Sequence, residues 1–213
     1  MKAIETIYKG YRFRSRLEAR WAIFFDMLNL KWDYEKEGYD MDGVRYLPDF
    51  FIDTGNGEGY FIEIKGKQPT EAEIKKCRAL SVHYPTFLFV GQIQPPTIEP
   101  FAGSWGISFP KIKQVGKDLE AFKGPLQAGI AEWHAGSLTF SDPRPYCWHQ
   151  RDDGSLLLWP VPANELVHVN PATGVIETID PLKAGTKSID SEALLRAYKA
   201  ARSARFEFGE KGI

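Results

Sequence analysis

Cysteine and histidine are scarce in this chain, at two and four of 213 residues. Cys77 and Cys147 stand far apart and form no metal-ligand pair. Reduced thiols in a cytoplasmic protein are a simpler reading of them than a lone disulfide. His83, His134, His149 and His168 show no ligand spacing either, so a zinc module has nothing to build on. Cys147-Trp148-His149 has the form of half a metal site, but there is no second half. No apolar run approaches the roughly eighteen residues of a membrane span. The start, Met1-Lys2-Ala3-Ile4-Glu5, has no apolar signal region. An excess of positive charge is missing as well. The formal net charge is -1, which argues against a protein that coats nucleic acid as histones do. There is no internal repeat and no low-complexity tract.

What remains is an ordinary globular composition, 43% hydrophobic and 26% charged, in a chain long enough to bury a full core. Charge is unevenly distributed. Residues 1–20 hold six basic side chains (Lys2, Lys9, Arg12, Arg14, Arg16 and Arg20) against Glu5 and Glu18. Residues 26–53 are acidic overall. A basic entry beside an acidic centre suits a metal site that also receives phosphate, and it equally suits ordinary surface variation.

Hydrophobic periodicity orders the first half of the chain. Leu17, Trp21, Phe24, Phe25 and Leu28 recur at helical spacing and predict a helix over Arg16 to Asn29. Trp32 begins a strand expected to continue towards Asp40, and Gly43 marks a turn. Tyr46 to Ile52 and Tyr60 to Lys65 read as strands rich in aromatic and β-branched residues. The Gly-rich segment 53–59 between them suits a hairpin. Thr70-Glu71-Ala72-Glu73 has capping-box form. The helix behind it is expected to turn Ile74, Cys77, Leu80 and Val82 inward. Thr86 to Val90, nearly all apolar, predicts a buried central strand.

Beyond Val90, three prolines within residues 92–100 mark a linker or crossing. Trp105 to Phe109 reads as a strand, and a short helix is expected within Leu119 to His134. Hairpins are expected around Asp152-Asp153-Gly154 and around 170–174. A last helix is expected over Asp190 to Phe206, with Leu194, Leu195 and Tyr198 inward. Its Arg196, Lys199, Arg202 and Arg205 suit either a phosphate backbone or a solvated face. Trp105, Trp133, Trp148 and Trp159 read as core rather than as stacking platforms.

Four residues carry the chemistry: Glu18, Asp49, Glu63 and Lys65. Side chains on a strand alternate faces, so Glu63 and Lys65 share one face with Ile64 on the other. If the hairpin pairs, Asp49 lies beside them. Two carboxylates and an ammonium on strands otherwise built of Phe and Ile call for a reason. A hard divalent cation, which takes oxygen ligands, supplies one. Glu18 has two readings. Ser15-Arg16-Leu17-Glu18 is a capping box in which Glu18 reaches back to the Ser15 amide, and Glu18 also suits an acid near the metal.

Pro48-Asp49, followed fourteen residues on by Glu63-Ile64-Lys65, resembles the PD-(D/E)XK nuclease signature. Phe13-Arg14-Ser15-Arg16-Leu17-Glu18 ahead of it is similar to the helix opening of phage endonuclease I, of the Holliday-junction resolvase type. The resemblance runs from about Tyr11 to Gly91, and the expected order α-β-β-β-α-β matches that family's core. It implies a restriction-endonuclease-like α/β core with a central mixed sheet over 1–95, followed by an α+β C-terminal region over 96–213. The long C-terminal region departs from the small resolvases and reads as a substrate-recognition or partner-binding extension.

The activity implied is Mg²⁺-dependent endonucleolytic cleavage of DNA, branched or damaged structures included, in phage or mobile-element DNA processing. Mn²⁺ is expected to substitute for Mg²⁺. Glu18, Asp49 and Glu63 would surround the metal, with the Ile64 carbonyl as a further ligand. Lys65 would sit at the scissile phosphate as base or charge stabiliser, and Arg14, Arg16 and Lys67 would contact nucleic acid. A homodimer is expected where both strands are cut, and no membrane partner. The competing readings are a nuclease acting on RNA or single-stranded DNA and a non-catalytic nucleic-acid- or protein-binding module on the same core.

Overall fold

The structure is a computed structural model. It describes residues 6–41, 43–55, 58–81, 83–84, 86–95 and 191–206, and between 95 and 191 the strands named below. It is a mixed α/β fold around a mixed sheet. The chain opens with a small hairpin of β1 (Thr6–Tyr8) and β2 (Tyr11–Phe13), which the sequence pattern does not predict. Helix α1 (Arg16–Met27) follows. Ser15 caps it, its Oγ accepting the Glu18 N–H. Asn29, at φ 54, adopts the left-handed conformation that ends a helix. The helix therefore stops short of the expected Asn29.

Strand β3 (Lys31–Tyr34) is shorter than expected, because Glu35 takes φ 46 and breaks it. Tyr39 to Met41, expected to continue that strand, instead forms β4, paired with β5 (Val44–Tyr46) around Gly43 at φ 83. Leu47-Pro48 separates β5 from β6 (Phe50–Gly55). The single strand expected over Tyr46 to Ile52 is thus two. Strand β7 (Glu58–Lys65) pairs antiparallel with β6, as the hairpin reading requires. Gly59 is obligatory there. A Cβ on it would lie 2.3 Å from both the Ile52 carbonyl oxygen and the Phe51 ring.

Helix α2 (Glu71–Ser81) is capped as the sequence predicts: Thr70 Oγ1 accepts the Glu73 N–H, and Glu73 accepts the Thr70 N–H in return. Cys77 and Leu80 are buried and Ile74 is half-buried. The expectation for Val82 lies outside the described residues. Strand β8 (Thr86–Val90), buried throughout, runs parallel to β7. A crossover helix between two parallel strands is the βαβ arrangement.

The sheet continues past residue 95. Strand β9 (Trp105–Phe109) pairs antiparallel with β8. The predicted hairpins form: β12 (Tyr146–Arg151) pairs with β13 (Leu156–Pro160), and β14 (Val167–Val169) with β15 (Ile176–Thr178). The order across the sheet is β15-β14-β13-β12-β9-β8-β7-β6-β3, and β16 (Lys187–Ser188) lies beside β12. A separate hairpin joins β10 (Glu132–His134) and β11 (Ser137–Thr139). Of the span 119–134, within which a short helix is expected, only the strand at 132–134 is described, and the rest lies outside the described residues.

Helix α3 (Glu192–Ser203) packs on α1. Leu194 and Tyr198 are buried as expected. Leu195, expected to face inward, is 41% exposed, because the inner face of α3 runs through Leu194, Ala197, Tyr198 and Ala201. Trp148 is buried in the core, while the side chains of Trp105, Trp133 and Trp159 lie outside the described residues. No helix among the described residues is long and apolar enough to cross a membrane.

The sheet separates two cores. On one face Phe50, Ile52, Ile62, Ile64, Phe87 and Phe89 pack with α1, α3 and Trp148. On the other Phe51, Phe61, Leu88 and Val90 pack against Cys77 and Leu80 of α2. Strand alternation assigns each side chain to its layer.

Candidate active site

Asp49, Glu63 and Lys65 share the α2 face with Phe51 and Phe61, at the end where β6 begins and β7 runs on unpaired by it. Asp49 is fixed by its whole peptide unit. Its carbonyl accepts the Glu35 N–H at 2.9 Å, and its own N–H donates to Glu63 Oε2 at 3.3 Å. Its Oδ2 accepts the Ile64 N–H at 2.8 Å. The side chain thus takes the place of a strand partner that β6 no longer supplies. No donor among the described residues reaches Oδ1.

Asp49 and Glu63 are each 6% exposed, and Glu18 is 7% exposed. Glu18 arrives from the opposite layer, at the first turn of α1. Burial raises the Asp49 pKa well above the ordinary carboxylate range, and the charges of Glu63 and Glu18 raise it further. A carboxyl that resists ionisation in this way gains from a cation.

Two buried tyrosines hold the two glutamates. Tyr46 donates to Glu63 Oε2 at 2.8 Å, and Tyr34 donates to Glu18 Oε2 at 2.5 Å. Ser15 donates to Glu18 Oε1 at 2.6 Å, and the Arg14 N–H reaches Glu18 Oε2. The capping box is therefore present, but Glu18 returns to the Arg14 amide instead of the expected Ser15 amide. Glu18 therefore caps the helix, and its charge helps to raise the Asp49 pKa.

Lys65 Nζ lies 2.6 Å from Glu63 Oε1 and 3.6 Å from Glu73 Oε1. Burial pushes its pKa down, but Glu63, Asp49 and Glu73 outweigh this, so the ammonium is held above its ordinary value. In the metal-free cleft the carboxylates thus keep Lys65 a cation.

These groups line one cleft of about 650 Å³, which Arg14, Arg45, Glu73 and Lys76 also line. Arg14 pairs with Glu35 at 2.6 Å. Two predicted contacts are not brought in. Strand β7 ends at Lys65, so Lys67 sits exposed in the bend beyond and not on the cleft face. Arg16 is likewise outside the cleft lining. The sequence reading misses Tyr34, Tyr46, Arg45 and Lys76. The signal for Tyr46 was its alternation within Val44-Arg45-Tyr46, hidden by reading Tyr46 to Ile52 as one strand.

Among the described residues no group of three or more His, Cys, Asp or Glu side chains converges as a cation site. Glu63 Oε1 is on Lys65, and the Glu18 oxygens are engaged by hydroxyls and an amide. The donor set still fits an oxygen-seeking ion. Asp49 Oδ1 lacks a donor, and the Ile64 carbonyl faces the same strand edge as the Ile64 N–H that Asp49 engages. Comparison with family models, curated proteins and solved structures returns no match.

Proposed function

We propose that the cleft is the active site of a Mg²⁺-dependent endodeoxyribonuclease with a restriction-endonuclease-like core of the PD-(D/E)XK kind. The observation that carries this reading is the gathering of Glu18, Asp49, Glu63 and Lys65 in one cleft, on otherwise apolar elements. A stability role does not account for three buried carboxylates, because burying like charges together costs free energy.

Asp49, Glu63 and the Ile64 carbonyl would hold the ion, with Glu18 beside them, and Mn²⁺ would substitute. When bound, such an ion makes its water more acidic and neutralises phosphoryl charge. Lys65 brings its ammonium to the scissile phosphate and offsets the charge that develops there. Tyr46 holds one oxygen of Glu63, and the other lies against Lys65. Tyr34 and Ser15 hold one oxygen each of Glu18 and fix its carboxylate beside Asp49. Phage or mobile-element DNA processing, on branched or damaged DNA, is the setting that the motif resemblance implies.

The test is a panel of supercoiled and linear duplex, single strand and four-way junction, incubated with Mg²⁺ or Mn²⁺. Wild type is expected to cut at least one DNA substrate, and EDTA to stop it. Asp49→Ala and Lys65→Ala are each expected to lose about 10²–10³-fold in rate. Retained cleavage in Asp49→Ala would overturn the assignment of the site.

A further inference from the structure

Four cations line the cleft, and they differ in what they already hold. Arg14 is taken by Glu35 at 2.6 Å. Lys65 is taken by Glu63 and Glu73. Arg45 makes only a 3.7 Å contact with Asp40, with side chains 90% and 60% exposed, an arrangement of little energetic weight. Lys76 is half-buried in the cleft lining and has no ion-pair partner among the described residues. Its natural partner on the helix would be Glu73, one turn earlier. Glu73 is already fixed by the Thr70 N–H at 2.7 Å, the Thr70 hydroxyl at 2.8 Å and Lys65. The capping box of α2 thus engages the carboxylate that stands one turn before Lys76.

The two available cations come from adjoining elements, since α2 packs on β4 and β5. Both open onto the cleft that holds the carboxylates. We propose that Lys76 and Arg45 form a second anion-binding position in this cleft, and that it grips a backbone phosphate next to the one at Lys65. The ligand class is a nucleic-acid strand, held by its phosphates and without base readout. The inference rests on the nucleic-acid reading of the cleft and adds the residues that would grip the strand beside the cut.

The test is binding of a labelled DNA duplex and a labelled single strand in EDTA across a salt series, followed by anisotropy. Wild type, Lys76→Ala, Arg45→Ala and Lys76→Arg are compared. Lys75→Ala is the control, because Lys75 is exposed on the same helix outside the cleft lining. Each alanine variant at 76 or 45 is expected to shallow the slope of log K against log salt by about 0.7–0.9. Lys76→Arg is expected to restore the slope, and Lys75→Ala to leave it unchanged. Melting temperatures check that every variant is folded.

Unchanged slopes in folded Lys76→Ala and Arg45→Ala overturn the proposal, and so does a wild type that binds neither DNA. Metal-dependent cleavage is read in parallel on the wild type. Cleavage with unchanged slopes would leave the nuclease standing and remove the phosphate position. Shallowed slopes with no cleavage of any substrate would support the phosphate position and count against the nuclease.

Discussion

Strands β6 and β7 have two faces made by the same few residues, and the faces do different work. Phe50, Ile52, Ile62 and Ile64 turn to α1 and are joined there by Phe24, Phe25 and Trp21 in a layer dominated by aromatic and aliphatic side chains. Phe51 and Phe61 turn to α2, but the next positions on that face are Asp49, Glu63 and Lys65. One face is specified by burial alone. The other begins as core and ends as charge, where β6 has not yet started and Asp49 stands in for a strand. An extended run of alternating residues can therefore stabilise with one face and place reactive groups with the other. A shift of one residue in register would exchange the two.

Breaking the α1 face should have the largest effect. Phe50 is fully buried among Phe13, Phe25, Trp32 and Tyr34. Phe50→Ala is expected to cost about 3–5 kcal/mol by urea denaturation. On the α2 face the tight point is Gly59, under the Phe51 ring. Gly59→Ala forces that ring or the Ile52 carbonyl to move, at about 1–3 kcal/mol, or about 2–4 °C in melting temperature per kcal/mol. A Gly59→Ala protein that melts like wild type would show the approach to be looser than described.

Tyr46→Phe sharpens the comparison, because it removes one hydrogen bond from Glu63 and leaves the ring. It is expected to weaken Mn²⁺ binding by about tenfold in calorimetry. An unchanged affinity would mean that Tyr46 serves packing alone.

The smallest effect carries a sign. Asp49 has a folded-state pKa raised by burial and by its carboxylate neighbours. The folded protein therefore binds more protons than the unfolded chain between the two pKa values. Stability from this group is fully present below the unfolded value of about 4, and is lost as pH rises through the folded value. Asp49→Asn removes that loss. In EDTA near neutral pH it is expected to melt higher than wild type, with the gain shrinking towards pH 4. A variant less stable than wild type at neutral pH would contradict the burial of an unpaired acid.

Much of this was legible in the sequence because short-range patterns govern it. The period of Leu17, Trp21, Phe24 and Leu28, the Thr70–Glu73 cap and the apolar Thr86–Val90 strand each follow from residues a turn or a pleat apart. The pairing of Asp49 with Glu63 was legible for the same reason, since a single hairpin joins them. The β1–β2 hairpin, the break at Glu35 and the split of Tyr46 from Phe50 were not. Each turns on a local backbone choice, such as a non-glycine residue at positive φ, that composition does not announce. Tyr34 and Tyr46 were missed because a tyrosine in a strand reads as core until its hydroxyl finds a carboxylate. Lys67 lies two residues past the end of β7, where strand alternation no longer sets its direction.

The measurement that tests the central claim most directly is the melting temperature of wild type and Asp49→Asn, titrated with Mn²⁺ at neutral pH. The account predicts that wild type rises with added ion and that Asp49→Asn starts higher and stays flat. Equal shifts in the two proteins, or none in wild type, would contradict the reading of Asp49, Glu63 and Glu18 as a cation site.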